Sequence, residues 1–206
     1  MSAIDQDLVF TPLGGVGEIG MNLNLFACDD AWLMVDLGVK FGEAAEPGID
    51  VVLPDVSFLA ENRRKLAGLV VTHAHEDHIG AVPWLWPQLR CPIYCTAFAA
   101  QIIALKLKEA GLDEEVKVHV VKPGARLSLG PFDIEFISVT HSIPESTALL
   151  IETKRGRVLH SGDWKIDRSP IIGTTPVEGL YVNCGWGTGG FKAIPGSGFV
   201  FADTIA

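Results

Sequence analysis

Four residues whose side chains bind metal ions lie within six positions of the sequence. They are His73, His75, Asp77 and His78. The apolar run Leu69–Val71 just before them predicts a buried strand that ends at these side chains. Imidazole nitrogens together with a carboxylate suit divalent zinc or manganese. Because burying three imidazoles and a carboxylate without partners would be costly, the cluster predicts a metal site rather than core histidines.

The spacing of these residues predicts two ions rather than one. His73 and His75 lie two positions apart, so an extended strand end points both side chains in one direction. Asp77 and His78 follow where the chain turns into a helix, which aims them at a neighbouring position. Two adjacent divalent ions can hold both the attacking and the leaving oxygen of a displacement reaction.

Two further predicted strands are followed by candidate ligands, His141 and Asp163. Strand ends held in one sheet bring residues that are distant in sequence to one rigid place. His141 can complete a three-histidine set with the first pair of histidines, and Asp163 can bridge both ions through its two oxygens. His119 and His160 have no such context, and His119 is interpreted as strand surface.

A glycine-rich run at Gly14–Gly20 contains the Gly-x-Gly-x-x-Gly pattern of dinucleotide-binding loops. That pattern needs a helix that begins at the glycines and holds pyrophosphate at its N-terminus. Here Asn22–Phe26 alternates polar and apolar residues as a strand does, and Trp32–Val35 predicts a second strand after a turn. The sequence therefore favours a β-hairpin over a nucleotide site.

The elements that must position these residues follow from the apolar periodicity. Other strands are predicted at Leu8–Thr11, Pro92–Cys95, Val116–Val121, Arg126–Leu129, Phe132–Val139, Ala148–Thr153 and Val158–His160. Helices are predicted at Val56–Leu66, with Asp55 as N-cap, and at Ala97–Ala110, with a short or broken helix at Ile79–Leu89. A long loop near the site is predicted at Asp36–Pro54.

The composition is that of a soluble globular chain of 206 residues, with 48% hydrophobic and 20% charged residues. No apolar run approaches the ~20 residues needed to span a bilayer, so no membrane partner is expected. The acidic start Met1–Asp7 is unlike a signal peptide. The four cysteines form no Cys-x-x-Cys pair, which favours a reduced, cytoplasmic setting.

The net charge of −9 counts against a nucleic-acid partner, because phosphate binding needs a basic face. This objection is only partial. Several of the acidic residues are expected at the metal site, where bound cations reverse the sign of the local charge.

Several motifs in order resemble a known family. Thr72–Gly80, with the later histidine and Gly-Asp, is similar to the metallo-β-lactamase superfamily. The motifs that resemble the bacterial ribonuclease J family are Gly14–Asn22, Leu53–Asp55, His141–Ser146 and Gly162–Asp167. The resemblance extends from about Leu8 to Asp167, and it makes the glycine run part of that family's opening hairpin.

The resemblance implies an α/β fold, the αββα sandwich, with two zinc ions and cleavage of RNA from the 5′ end or internally. It also allows a homo-oligomer for the full-length family. Its first ion is held by His73, His75 and His141, its second by Asp77 and His78, and Asp163 bridges. Asp77 is also the candidate catalytic residue, which steers protons. Glu76 is expected to lie beside the ligands or on the surface rather than bind metal, and the loop Ser142–Ser146 is expected to donate to a substrate phosphate.

The chain also departs from that family. Its members continue through an inserted β-CASP domain, which is absent here, and back into the sandwich. That part supplies the last histidine of the second ion, the 5′-phosphate pocket and the second half of the sandwich. Residues 1–167 are therefore expected to be the N-terminal part of a metallo-β-lactamase domain, with activity impaired by truncation.

Residues 168–206 are expected to be a separate glycine-rich tail. Residues 169–206, which include the stretch Gly179–Lys192, resemble the C-terminal end of the β subunit of sarcosine oxidase, an FAD-dependent amine oxidase. This predicts a chimeric chain joined near Ile166–Pro170. FAD binding is not expected, because the oxidase's nucleotide-binding domain is absent.

The leading hypothesis is a two-metal RNA phosphodiesterase. Three alternatives stay open: a small-ester or thioester hydrolase of the same superfamily, a non-catalytic metal-binding fragment, and a flavoprotein fragment.

Overall fold

The computed structural model describes residues 7–43 and 46–165, together with the backbone of two later strands. It divides into two compact units. The first comprises Met1–Val139 and Ile143–Asp163, and the second comprises Thr140–Ser142 and Trp164–Ala206. The predicted junction at Ile166–Pro170 lies outside the described residues, as does most of the predicted tail.

The strands and helices follow in chain order. The strands are β1 (Val9–Gly14), β2 (Leu23–Cys28), β3 (Ala31–Val35), β4 (Lys40–Phe41), β5 (Val51–Val52), β6 (Leu66–Val70), β7 (Ile93–Cys95), β8 (Val118–Val120), β9 (Arg126–Leu129), β10 (Phe132–Ser138), β11 (Thr147–Thr153), β12 (Gly156–His160), β13 (Ile171–Thr174) and β14 (Tyr181–Cys184). The helices are α1 (Ser57–Glu61), α2 (Glu76–Ile79), α3 (Val82–Leu89) and α4 (Ala97–Glu109). None of the helices in the described part of the chain is long and apolar enough to cross a membrane.

Two larger sheets and two short strand pairs are present among these strands. The six-stranded sheet has the order β1-β2-β3-β6-β7-β8, and the four-stranded sheet has the order β12-β11-β10-β9. β1, β2 and β3 are antiparallel, whereas β3, β6, β7 and β8 run parallel. Helices form the crossovers between the parallel strands. The ends of β3 and β6 therefore lie side by side at one edge of the sheet.

Two apolar clusters form the core of the first unit. Alternate residues of β3 face opposite sides: Met34 packs in the cluster that contains the helices, whereas Leu33 and Val35 pack in the cluster that contains Phe132 and Phe136 of the second sheet. The layers are thus helices, sheet and sheet. This is the order of the predicted αββα sandwich up to its second helical layer.

The hairpin predicted after the glycine run is confirmed. β2 pairs with β3 in antiparallel register, with Leu25 opposite Met34, and residues 15–20 are bends rather than a helix. No helix begins at these glycines, so the dinucleotide interpretation, which requires one there, does not hold.

The helix predicted at Val56–Leu66 is wrong in its second half. α1 ends at Glu61, a 3₁₀ turn covers Arg63–Lys65, and Leu66 begins β6 opposite Trp32. Strand pairing outweighs the helical tendency of the local sequence there. Helix α1 begins one residue later than Asp55 predicts, but the Asp55 carboxylate still accepts the Ser57 backbone N–H at 2.9 Å.

Candidate metal centre

The histidine motif lies where β6 ends and the chain turns into α2. His75 has an extended backbone and directly precedes the helix. This turn brings the ring of His78 to 4.0 Å from that of His73, and the ring of His75 to 4.8 Å from that of His73. Three imidazoles from one short stretch are therefore in contact.

A buried carboxylate that sequence reasoning missed stands behind the motif. Asp36 follows β3, the strand beside β6, and it is fully buried. It accepts the Thr72 backbone N–H at 2.8 Å and the Thr72 hydroxyl at 2.9 Å, and its Oδ2 lies 2.8 Å from Nδ1 of His78. The available signal in the sequence was an acidic residue directly after a buried apolar run.

Asp36 determines which ring nitrogen of His78 faces the site. With Nδ1 bonded to Asp36, Nε2 points toward two carboxylates, 3.5 Å from Oδ2 of Asp77 and 3.5 Å from Oδ2 of Asp163. Both separations are long for hydrogen bonds. They match ligands that share one ion, since tetrahedral bonds of ~2.1 Å place neighbouring ligand atoms about 3.4 Å apart.

Three potential ligands of the two predicted ions converge in this part of the chain. Ligand atoms of His73, His78 and Asp163 all lie within 4.8 Å of one another. Nδ1 of His73 lies 3.0 Å from the Thr72 hydroxyl, and its Nε2 lies 3.0 Å from Nδ1 of His75. The Thr72 contact is an outer hydrogen bond of the kind that orients imidazole ligands in metal sites, and it leaves Nε2 of His73 on the side of His75.

The carboxylates around His78 favour a positive charge at this position. Burial alone would lower the pKa of His78, but Asp36, Asp163 and Asp77 outweigh it and raise the pKa to about 12. Burial and the neighbouring charge of His78 lower the pKa of His73 to about 4. The carboxylates therefore concentrate positive charge at His78, a charge that a divalent ion can supply in place of the proton.

The turn that leads to Asp163 packs against the second sheet at Gly162. Thr147, at the start of β11, donates its backbone N–H and its hydroxyl to the Thr72 carbonyl, both at 3.0 Å. Gly162 has a φ of 55°, and a Cβ there would lie 2.7 Å from the Thr147 carbonyl oxygen. His160 is also part of this support, since its Nδ1 accepts the Gly162 backbone N–H at 3.2 Å.

The start of α2 is tied to two loops by backbone hydrogen bonds. The Asn22 N–H donates to the Asp77 carbonyl at 3.0 Å, and the Leu37 N–H donates to the His78 carbonyl at 2.8 Å. A Cβ at Gly38 would overlap the Asp77 carbonyl, so this position requires glycine. The long loop predicted at Asp36–Pro54 thus contains the support of α2, together with the short pair β4 and β5.

Other predicted site residues lie around this centre. Glu76 turns away from it and pairs with Lys106 of α4 at 2.6 Å. In the loop after β10, the Glu145 carboxylate accepts the Phe98 backbone N–H at 2.8 Å. Ser146 is buried, and its hydroxyl donates to the Ile143 carbonyl at 3.3 Å. The Ser146 hydroxyl therefore bonds within its own loop.

His141 lies in Thr140–Ser142, which belongs to the second compact unit. Its role as a ligand, like the division of all six residues between two ions, stays a prediction.

Proteins from several bacteria match most of the length of this chain. The chain is 47% identical over 187 residues to a protein named Ribonuclease J from Sinorhizobium meliloti, with 89% of this chain and 33% of that protein covered. It is 46% identical over 170 residues to Ribonuclease J from Synechocystis, with 82% of this chain and 27% of that protein covered. The chain thus spans about a third or less of these relatives. The 89% share exceeds the part of the chain before residue 168, so the first match continues past the predicted junction.

Solved structures show the same fold at low sequence identity. The metallo-beta-lactamase fold protein YhfI from Bacillus subtilis superimposes with a TM-score of 0.53 and 22% identity, over 75% of this chain and 62% of that protein.

A family model described as the Beta-lactamase superfamily domain matches residues 45–175. The match includes the whole histidine motif, the loop after β10 and the Gly-Asp turn. Because it extends over more than half of the residues, and the layers of sheet and helix agree with it, the chain belongs to the beta-lactamase superfamily.

Proposed function

We propose that this chain is the metal-binding N-terminal part of a metal-dependent RNA hydrolase of the ribonuclease J type. The observation that carries the proposal is the position of the His78 Nε2 atom, 3.5 Å from both the Asp77 and Asp163 carboxylates and fixed from behind by Asp36. The names of the relatives supply the substrate class, RNA.

The residues have distinct roles in this proposal. His73, His75 and His141 hold a first ion, Asp77 and His78 hold a second, and Asp163 is shared. When bound, the ions supply a more acidic water and positive charge for phosphate oxygens.

Asp77 is the proposed catalytic residue. Burial raises its pKa, but the neighbouring His78 outweighs this and keeps the pKa below the usual range. The side chain is therefore ionised at neutral pH, and its Oδ2 can accept a proton or a hydrogen bond from a water beside it.

Zinc is the proposed metal, because the ligand set is rich in imidazole, and manganese is the alternative. Elemental analysis of protein purified without chelator distinguishes the two. A value below half an ion per chain would count against the proposal.

The substrate step is tested with a 5′-monophosphorylated RNA and saturating zinc or manganese. We expect turnover well below the ~1–10³ per second of ordinary enzymes, because the resemblance places the last ligand of the second ion and the phosphate pocket outside these 206 residues. Asp77→Ala should abolish the residual cleavage, whereas Asp50→Asn, at an exposed carboxylate, should not.

The other outcomes of this assay separate the remaining hypotheses. Tight metal binding without RNA cleavage would indicate a non-catalytic metal-binding part, and turnover of a thioester instead of RNA would indicate a small-ester hydrolase. Turnover in the ordinary range would contradict the expected impairment.

A cytoplasmic location accompanies this proposal, since the three described cysteines, Cys28, Cys91 and Cys95, are free thiols. The oxidase-like origin of residues 169–206 stays a hypothesis from sequence. Resequencing the gene across codons 166–170 tests it.

A further inference from the structure

The side chain of Asn22 contacts two of the proposed ligands of the second ion. Its Nδ2 lies 3.0 Å from the Asp77 carbonyl oxygen, 3.4 Å from Oδ2 of Asp77 and 3.2 Å from Nε2 of His78. The Asn22 backbone N–H also donates to the Asp77 carbonyl at 3.0 Å. One residue, 55 positions before Asp77, therefore holds both the main chain and the carboxylate of that ligand.

The chemistry of the amide suits this task. An asparagine amide has two N–H donors, and the Asp77 side chain and carbonyl offer only acceptors. When His78 Nε2 binds an ion, its lone pair is engaged, and the two donors are left for the two Asp77 oxygens. The amide then turns the Asp77 carboxylate toward the ion without itself being a ligand.

The contact of Asn22 with Asp77 explains why glycines occupy this run. A Cβ at Gly15 would overlap the Asn22 side-chain oxygen, and a Cβ at Gly14 would overlap the carbonyl of Met21. Gly15 also has a φ of 81°, which a residue with a side chain rarely adopts. The run that resembles a dinucleotide loop therefore packs against the Asn22 side chain and leaves room for its amide.

We propose that Asn22 is a positioning residue of the second metal site and that Gly14–Gly20 folds to place its amide against Asp77. This inference rests on the proposed function, because it requires that Asp77, His78 and Asp163 bind an ion. It assigns Asn22 no contact with substrate. Loss of such a supporting hydrogen bond lowers metal affinity about 10- to 100-fold in comparable sites.

Cobalt(II) titration of the full chain tests the proposal, with binding followed by the visible absorption of the bound ion and by chelator competition. We compare wild type with Asn22→Leu, which keeps the branched shape of the side chain and removes the donors. The second ion should bind about 10- to 100-fold more weakly with an altered spectrum, while the first ion keeps its affinity within about twofold.

A second variant and a matched control complete the experiment. Gly15→Ala keeps the asparagine but displaces its amide, and it should reproduce the selective loss. Asn62→Leu removes an amide that donates to the Phe58 carbonyl of α1, and it should change neither ion.

Three results would overturn the inference. The first is an unchanged second-ion affinity and spectrum in Asn22→Leu. The second is equal weakening of both ions together with a lower melting temperature of the metal-free protein, which would mean a general structural role. The third is a wild-type chain that binds no cobalt, which would also overturn the proposed function; the first two leave that function intact.

Discussion

Asp36 shows how much of the metal centre depends on one carboxylate that is not itself proposed as a ligand. It is fully buried, and burial raises its pKa, yet the charge and hydrogen bond of His78 keep the pKa below its usual range. The same carboxylate accepts from the backbone and hydroxyl of Thr72. It therefore fixes the His78 ring and the end of the motif strand together.

Removal of this carboxylate should be strongly destabilising. Asp36→Ala leaves His78 and the Thr72 amide without their buried partner, and breaking such a pair costs about 3–5 kcal/mol. Urea unfolding of the metal-free protein measures the loss. Asp50→Ala, at an exposed position, is the control and should stay within about 0.5 kcal/mol of wild type. A loss below 1 kcal/mol in Asp36→Ala would contradict the assigned role.

His160 should make the stability fall on the acid side of neutrality. Burial lowers its pKa in the folded protein, so the unfolded chain, with a histidine pKa of about 6.5, binds more protons at mildly acid pH. The free energy of unfolding then decreases as pH falls below that value, and the full contribution is present above it.

The measurement is urea unfolding between pH 7.5 and 5 with chelator present. His160→Gln should flatten part of the acid-side decrease, whereas His119→Gln, at an exposed histidine, should not. Equal slopes for wild type and His160→Gln would contradict the prediction.

At the scale of elements, the short helix α2 is stabilised by contacts from neighbouring segments. It has four residues, too few to be stable as an isolated helix. Backbone bonds from Leu37 and Val39 reach its carbonyls at 2.8 and 3.1 Å, and the Glu76–Lys106 pair ties it to α4. The geometry of the ligands on α2 is thus imposed by the loop after β3.

Gly38→Ala should disrupt this element while leaving the ligands themselves unchanged. The new Cβ would overlap the Asp77 carbonyl, so α2 must move away and carry Asp77 and His78 with it. We expect loss of at least one bound ion per chain, measured by elemental analysis. Gly48→Ala is the control: its φ of 86° costs about 1–2 kcal/mol, but open space surrounds it and metal content should persist. Unchanged metal content in Gly38→Ala would refute the prediction.

At the scale of the first compact unit, the metal centre joins its two sheets. β6 of the six-stranded sheet leads into the motif, and β11 of the four-stranded sheet is bonded to it through Thr147 and Thr72. Ions bound there would stabilise the folded form, because the unfolded chain has no preformed site.

Chelation should therefore lower the melting temperature of the wild-type chain. His73→Ala should lower metal content and melting temperature together, and chelator should then have little further effect. His119→Ala should respond to chelator as wild type does. A melting temperature of the wild type that chelator leaves unchanged would show that the ions do not support the fold.

The sequence by itself determined the features that depend on near neighbours in the chain. The spacing of the motif histidines after an apolar run, the hairpin after the glycines and the long helix α4 all follow from local periodicity. These patterns involve residues close together in the chain, so they can be recognised without knowledge of the fold.

Only the tertiary structure decided which distant residues support the site. Asp36, Asn22 and Gly38 meet α2 because β3 and β6 lie parallel and end at the same edge, and no local pattern encodes that alignment. Sheet pairing also explains why the helix predicted at Val56–Leu66 is wrong in its second half, because the pairing of Leu66 with Trp32 outweighs local helix propensity. Ligands could be read from residue types and spacing, whereas the residues that hold them in place depend on contacts between segments 36 to 56 positions apart.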